Sequence, residues 1–141
     1  MLAKNWESIM SRNLKDKISL FDTNIFLRFI TGDKSEYGSK SRELFKQAQK
    51  EEFQIYLDEL VFGEVVWTMQ SFYKYSRREI YDNLSRFFDF DFIINPRKKT
   101  LRKALETYAS TNLSFSDCWI YELSKSKLIK LETFDKELQK H

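Results

Sequence analysis

The sequence predicts an α/β domain built on a central parallel sheet of four to five short strands flanked by helices. Short apolar runs alternate with longer segments whose apolar residues recur every three to four positions, the signature of strand–helix–strand units. Only 3 glycines and 1 proline occur among 141 residues, where average usage is roughly 7% and 5%, so the many tight turns of an all-β sandwich or barrel are missing. The 42% hydrophobic and 16% aromatic content supplies a packed core at one domain's length and excludes global disorder.

Residues 18–21 (ISLF) read as a buried strand ending at Asp22. Residues 24–30 and 39–50 read as helices, the second burying Leu44, Phe45 and Ala48. A second strand is expected at 54–57 (QIYL), then helices over 59–73 and 77–88, where Ile80, Leu84 and Phe87 fall at helical spacing. Residues 91–94 (DFII) read as a third strand, closed by Asn95-Pro96. Leu101, Ala104, Leu105 and Tyr108 mark a helix over 98–109, a further helix runs over 115–124, residues 128–131 (LIKL) read as a fourth strand, and a short helix starts near Asp135. No repeat, low-complexity tract or Pro/Gly/Ser-rich linker interrupts this alternation, so one domain is expected over 18–141 behind an N-terminal extension, 1–17, that carries Trp6, Ile9 and Leu14.

With 24 Lys and Arg against 21 Asp and Glu, the net charge of +3 permits nucleic-acid binding without demanding it. Cys118 is the sole cysteine and His141 the sole histidine, which excludes an internal disulfide, a zinc or iron–sulfur site, and Cys–His or Ser–His–Asp chemistry. A reducing, cytoplasmic compartment is the expectation. The longest stretch nearly free of charge, 60–73, is broken by Glu64, and the N-terminus has no signal-peptide apolar region, so neither a membrane span nor export by that route is expected.

In open parallel sheets ligands sit beyond the carboxyl ends of the strands, where two acids follow strands, Asp22 and Asp135; with Glu64, one turn into a helix, and Asp117, near the start of another, they make a set of four. Each has a local explanation. Asp22 and Asp135 can cap helices, Ser114 to Asp117 matches a capping box, and Asp117 suits the positive end of a helix dipole. Glu64 has the weakest such excuse, because Leu60, Val61, Val65 and Trp67 suggest a largely buried setting in which a lone carboxylate is costly unless paired or metal-bound. Taken together, four carboxylates at one crevice would repel unless a divalent cation neutralised them. Oxygen ligands suit Mg²⁺ or Mn²⁺, and such ions assist hydrolysis of phosphate esters. Neighbouring chemistries fail on single positions: Asn24 stands where a haloacid-dehalogenase-type phosphatase needs a second Asp, Asp22 lacks the acidic partner of a response-regulator receiver, and no G-x-x-x-x-G-K-[ST] exists.

The segments ISLFDTNIFLRFI (18–30), YLDELVFGEVVWTM (56–69), LSFSDCWIYELS (113–124) and LIKLETFDKEL (128–138) together resemble the PIN-domain nucleases, in particular the VapC-like toxin ribonucleases. The resemblance implies a flavodoxin-like sheet and places the family's acidic positions on the same four residues. Asp22, Asp117 and Asp135 would hold Mg²⁺ or Mn²⁺ directly or through water, and Glu64 would ligate the ion or orient the attacking water. Thr23, Asn24 and Thr133 would supply supporting hydrogen bonds. The implied reaction is endonucleolytic hydrolysis of single-stranded RNA, with the 3′ oxygen leaving as hydroxyl. The implied partners are the RNA substrate, a small antitoxin and a second copy in a homodimer; a nuclease of RNA maturation or decay, or a catalytically silent RNA-binding or assembly module, is the alternative. Cys118 stands where the family often has Ala, a small buried residue in either case.

Two basic groups are candidate contacts for an RNA backbone: Lys98, Lys99 and Arg102 in PRKKTLRK, and Lys74, Arg77 and Arg78. A solvated helix face explains them equally well. Most aromatic residues belong to the core, leaving Tyr73, Tyr75 and Trp6 as stacking candidates. Arg28 matches the Arg of the D-T-N-x-x-L-R pattern, where a structural ion pair is expected.

Overall fold

A computed structural model describes residues 17–140. These form two compact units, the first comprising the chain to Val65 together with Asp89–Pro96, the second comprising Val66–Phe88 and the chain from Arg97 onward. Trp6 and most of the expected extension lie outside the described residues.

The first unit holds the sheet. Strands β1 (Ile18–Leu20), β2 (Gln54–Tyr56) and β3 (Ile93–Ile94) lie parallel in the order β1-β2-β3, with Leu20 opposite Tyr56 and Tyr56 opposite Ile94. Helices α1 (Thr23–Ile30) and α2 (Glu36–Gln49) follow β1 and pack on each other, and α3 (Glu59–Ser71) follows β2. Phe21, Phe26, Leu27, Phe45 and Ile55 are all buried in this unit. Phe29 stacks on Phe45 with ring centroids 4.1 Å apart, and Phe21 meets Phe45 edge-on at 5.3 Å, geometries that add to simple area burial. Between α1 and α2 the chain turns at Gly32, whose φ of +66° lies in the left-handed region open to glycine. Gly38, in the first turn of α2, is needed for space: a Cβ there would sit 1.9 Å from the Asp33 carbonyl oxygen.

The second unit is helical: α4 (Arg77–Leu84), a 3₁₀ turn at Ser85–Asp89 leading back toward β3, α5 (Lys98–Ser110), α6 (Phe115–Lys127) and α7 (Lys136–Gln139). α5 packs on both α4 and α6, burying Ile80, Leu84, Leu101, Ala104, Leu105, Tyr108 and Cys118. A full capping box starts α4, with Ser76 and Glu79 exchanging side-chain and backbone hydrogen bonds.

The alternation and the parallel pairing agree with the sequence pattern, and the sheet is smaller. It has three strands among the described residues instead of four to five, because residues 128–131 do not pair. Leu128 adopts φ +55° as the left-handed cap of α6, its N–H donating to Lys125 O, while the Ile129 N–H donates to Ser124 O at 2.8 Å. That stretch of backbone is spent on terminating a helix, and Leu128 and Ile129 are left exposed, Leu128 at 94%. The third strand shrinks to Ile93–Ile94, and the helix expected over 77–88 ends at Leu84 and tightens into the 3₁₀ turn.

Candidate active site

Two residues past β1, Asp22 caps α1. Its Oδ1 accepts the Ile25 N–H at 3.2 Å while its backbone stays extended, the usual posture of an N-cap. Thr23 and Asn24 form the first turn of α1, and the Thr23 hydroxyl donates to Glu64 Oε2 at 2.8 Å. One short sequence therefore starts a helix, presents a carboxylate at the carboxyl edge of the sheet and fixes a second carboxylate from α3.

Glu64 is exposed, which corrects the buried setting expected for it. On α3, Leu60, Glu64 and Trp67 share one face at spacings of four and three. Leu60 and Trp67 are 85% and 65% exposed, while Phe62, Val65, Val66 and Met69 take the buried face. The apolar letters around Glu64 belong to two faces, so its charge stays in water.

Sequence reasoning passed over two residues at the same edge. Asp58 stands two positions past β2, as Asp22 does past β1, and its Oδ2 caps α3 by accepting from Leu60 N at 3.0 Å and Val61 N at 3.3 Å. Asn95, buried, donates from Nδ2 to the Leu57 carbonyl at 2.7 Å and ties the ends of β2 and β3. The signal in each case was an Asp or Asn directly after a strand, the criterion that had selected Asp22.

In the second unit Asp117 lies in the first turn of α6, half-buried, with its N–H donating to Ser114 Oγ at 3.2 Å. Asp135 caps α7 through Oδ1, which accepts from Glu137 N at 2.8 Å and Leu138 N at 3.3 Å. Thr133 supports it directly, its hydroxyl accepting the Asp135 N–H at 3.0 Å. Arg77 is turned inward. Its Nη1 donates to the carbonyls of Tyr108 and Leu113 at 2.8 and 2.7 Å, and its guanidinium lies 4.2 Å from the Tyr108 ring centroid, so it organises the connection that leads into Ser114 and Asp117. Arg78 is exposed and pairs with Asp82 at 3.3 Å. Lys98, Lys99 and Arg102 occupy the first two turns of α5, with Lys99 and Arg102 exposed. Tyr73 contacts the Phe72 and Tyr75 rings at 5.0 and 6.1 Å. Burial pushes the Cys118 thiol up to about 11, so the sole thiol is neutral at ordinary pH and no nucleophile.

The donors fit a hard divalent ion in kind. Asp22 Oδ2 and Glu64 Oε1 accept no hydrogen bond among the described residues, and every candidate ligand is a carboxylate oxygen, the class that Mg²⁺ and Mn²⁺ take. Within each unit taken alone, the described residues contain no group of three or more His, Cys, Asp or Glu side chains able to hold a metal.

Comparison with known proteins agrees with this reading of the fold. The chain is 25% identical over 101 residues to a VapC ribonuclease of Aquifex aeolicus (strain VF5), an alignment that covers 72% of this chain and 74% of that protein. No solved structure matches significantly. The PIN domain family model matches residues 19–141, and the chain belongs to the PIN domain family.

Proposed function

We propose that this protein is a divalent-metal-dependent endoribonuclease that hydrolyses phosphodiester bonds of single-stranded RNA, and that it is the toxin of a type II toxin–antitoxin pair. The observation that carries the reading is a PIN domain match over residues 19–141 in a chain that presents Asp22 at the edge of the sheet and ties Glu64 to the neighbouring Thr23. Similarity to a VapC ribonuclease supports the nuclease class. In this reading Asp22, Glu64, Asp117 and Asp135 hold Mg²⁺ or Mn²⁺, with Thr23, Asn24 and Thr133 as supporting groups. Such an ion, when bound, activates water for attack on phosphorus and stabilises the leaving oxygen. The chain's own contribution is to fix the carboxylates: the caps at Asp22 and Asp135 hold each on a helix start, and the Thr23 hydroxyl sets the rotamer of Glu64. The same reading assigns a small antitoxin and a second copy of the chain as partners, and a cytoplasmic location. No helix among the described residues is long and apolar enough to cross a membrane.

Metal titration tests it. Mn²⁺ should raise the melting temperature through linkage to the folded state, and Asp22→Asn should weaken both this effect and RNA cleavage. Equal cleavage by wild type and Asp22→Asn would overturn the assignment. Expression of the protein alone should arrest growth; a harmless outcome would favour a role in RNA maturation or decay, or a silent binding module.

A further inference from the structure

Beside Asp22 the surface opens into a cleft of about 370 Å³ between α1 and α2, near the lower end of the ~300–1,000 Å³ typical of small-ligand sites. Ile25 and Leu44 give it an apolar lining, and Asn24, Arg28, Tyr37 and Lys40 supply its polar groups. Tyr37 is 64% exposed. Two cations attend it, the Arg28 guanidinium 5.2 Å and the Lys40 ammonium 5.8 Å from the ring centroid.

The two cations differ in what they are free to do. Arg28 is held by Asp33, whose carboxyl lies below the ordinary range because Ser35 donates to it from backbone and side chain and Arg28 adds its charge. Arg28 also donates to Ser35 Oγ at 3.3 Å, so it is a fixed post beside the ring. Lys40 has only a loose pair with Glu36 at 3.7 Å, both side chains largely in water, an arrangement that contributes next to nothing and yields readily to a better anion. Gly38 sets the ring's position, because its missing Cβ lets the start of α2 lie against the Asp33 carbonyl.

An exposed aromatic ring with one anchored and one available cation, lining a cleft of this volume, matches an unpaired nucleotide: its base stacks on the ring and its phosphate meets the ammonium. An acidic peptide would satisfy the cations and leave the ring face unused. We propose that the Tyr37–Lys40 cleft is the subsite for one unstacked nucleotide of the RNA, next to the phosphate that Asp22 faces. The proposal rests on the ribonuclease reading above. Tyr37 and Lys40 are binding residues in it, and they hold the strand without taking part in bond cleavage.

The experiment measures steady-state cleavage of a single-stranded RNA by the full chain, with Tyr37→Ala, Tyr37→Phe, Lys40→Gln and, as a control on the exposed face of α2, Lys46→Ala. Tyr37→Ala should raise KM about tenfold or more, the size of one lost base–aromatic stack, with kcat within about twofold; Tyr37→Phe should restore wild-type KM, and Lys46→Ala should match wild type. Lys40→Gln should lower the slope of log affinity against log salt by about 0.7, as for one phosphate contact on a single strand. A substrate series with one abasic position supplies a readout that a structural role would not move: one abasic site should weaken binding by wild type and add nothing to the defect of Tyr37→Ala. Wild-type KM in Tyr37→Ala together with an unchanged salt slope in Lys40→Gln would overturn the subsite while leaving the nuclease standing. If wild type cut no RNA, the failure would belong to the functional reading, and the cleft would fall with it.

Discussion

Removing the Arg77 side chain should destabilise the second unit by an amount that the contacts allow one to work out. Two N–H···O=C bonds would be lost, to Tyr108 at 2.8 Å and Leu113 at 2.7 Å, together with the stack over the Tyr108 ring at 4.2 Å. The Tyr108 carbonyl is among the last four of α5, which have no partner inside the helix, so nothing within α5 replaces the arginine. Hydrogen bonds from a charged donor contribute about 1.5–3 kcal/mol each, and the half-buried position of Arg77 sets them at the lower end. The ring contact adds about 0.5–1 kcal/mol, while freeing the side chain returns up to about 2 kcal/mol of rotamer entropy. The net cost of Arg77→Ala is then about 2 kcal/mol, and at roughly 2–4 °C per kcal/mol for a chain of this length the melting temperature should fall by about 4–8 °C. Thermal unfolding followed by circular dichroism reads this directly. Arg78→Ala is the internal standard: its pair with Asp82 is exposed and one helical turn apart, worth about 0.3–0.5 kcal/mol. Arg77→Lys should recover less than half of the loss, since the shorter lysine side chain does not carry its ammonium to the place of Nη1, which serves both carbonyls, and has no planar group to lie over the Tyr108 ring. If Arg77→Ala melted no lower than Arg78→Ala, the idea that this guanidinium holds the approach to Asp117 would be wrong.

Gly38→Ala should cost about 1–3 kcal/mol, the usual range for overpacking, because the new methyl meets the Asp33 carbonyl carbon at 2.6 Å as well as its oxygen; Ser39→Ala, one residue on and exposed, should be nearly neutral in the same denaturant titration. Cys118 should resist thiol reagents at pH 8 in the native protein and react once unfolded. Its thiol titrates at about 11 in the fold against an ordinary 9.0, so its contribution to stability is complete below pH 9, where both states hold the proton. That contribution is lost as pH rises from 9 to 11 and the unfolded chain alone ionises. At the acid end, Asp33 and Glu79 are held below their ordinary values, chiefly by the backbone N–H groups of Ser35 and Ser76 respectively. Their contributions are present above the normal carboxylate range and disappear as pH falls through the lowered folded values, which an acid-unfolding series with Asp33→Asn would detect as a flatter curve.

Much of this molecule could be read from residue order, and the failures have specific causes. The strands at Ile18–Leu20 and Gln54–Tyr56 and the helices α5 and α6 are legible because strong periodicity coincides with clear boundaries, Ser114 capping α6 as serine should, whereas α2 begins at Glu36 behind the Ser35 cap, three residues ahead of the start expected at 39. Residues 128–131 misread because an apolar run is a statement about side chains, whereas strand formation needs a partner for the backbone, and Leu128 and Ile129 had already committed theirs to the last turn of α6. Glu64 misread because a helix so rich in apolar residues hides which of its faces is wet. The cap roles of Asp22 and Asp135 were legible from type and position, and the Thr23–Glu64 bond was not, since the two residues are 41 positions apart. The inward turn of Arg77 was invisible for the same reason, as its acceptors lie 31 and 36 residues away.

The caps carry one more implication. At an N-cap, asparagine and serine serve about as well as aspartate, so architecture alone exerts little pull toward a formal charge at positions 22 and 135. A copy of this protein in which both became amides would still wind its helices from the same points and look unaltered to any probe of shape. Foldedness and whatever task the negative charges perform are thus separable by two atoms' difference, and the amide form, once arisen, would persist as an intact rival for every surface the original recognises.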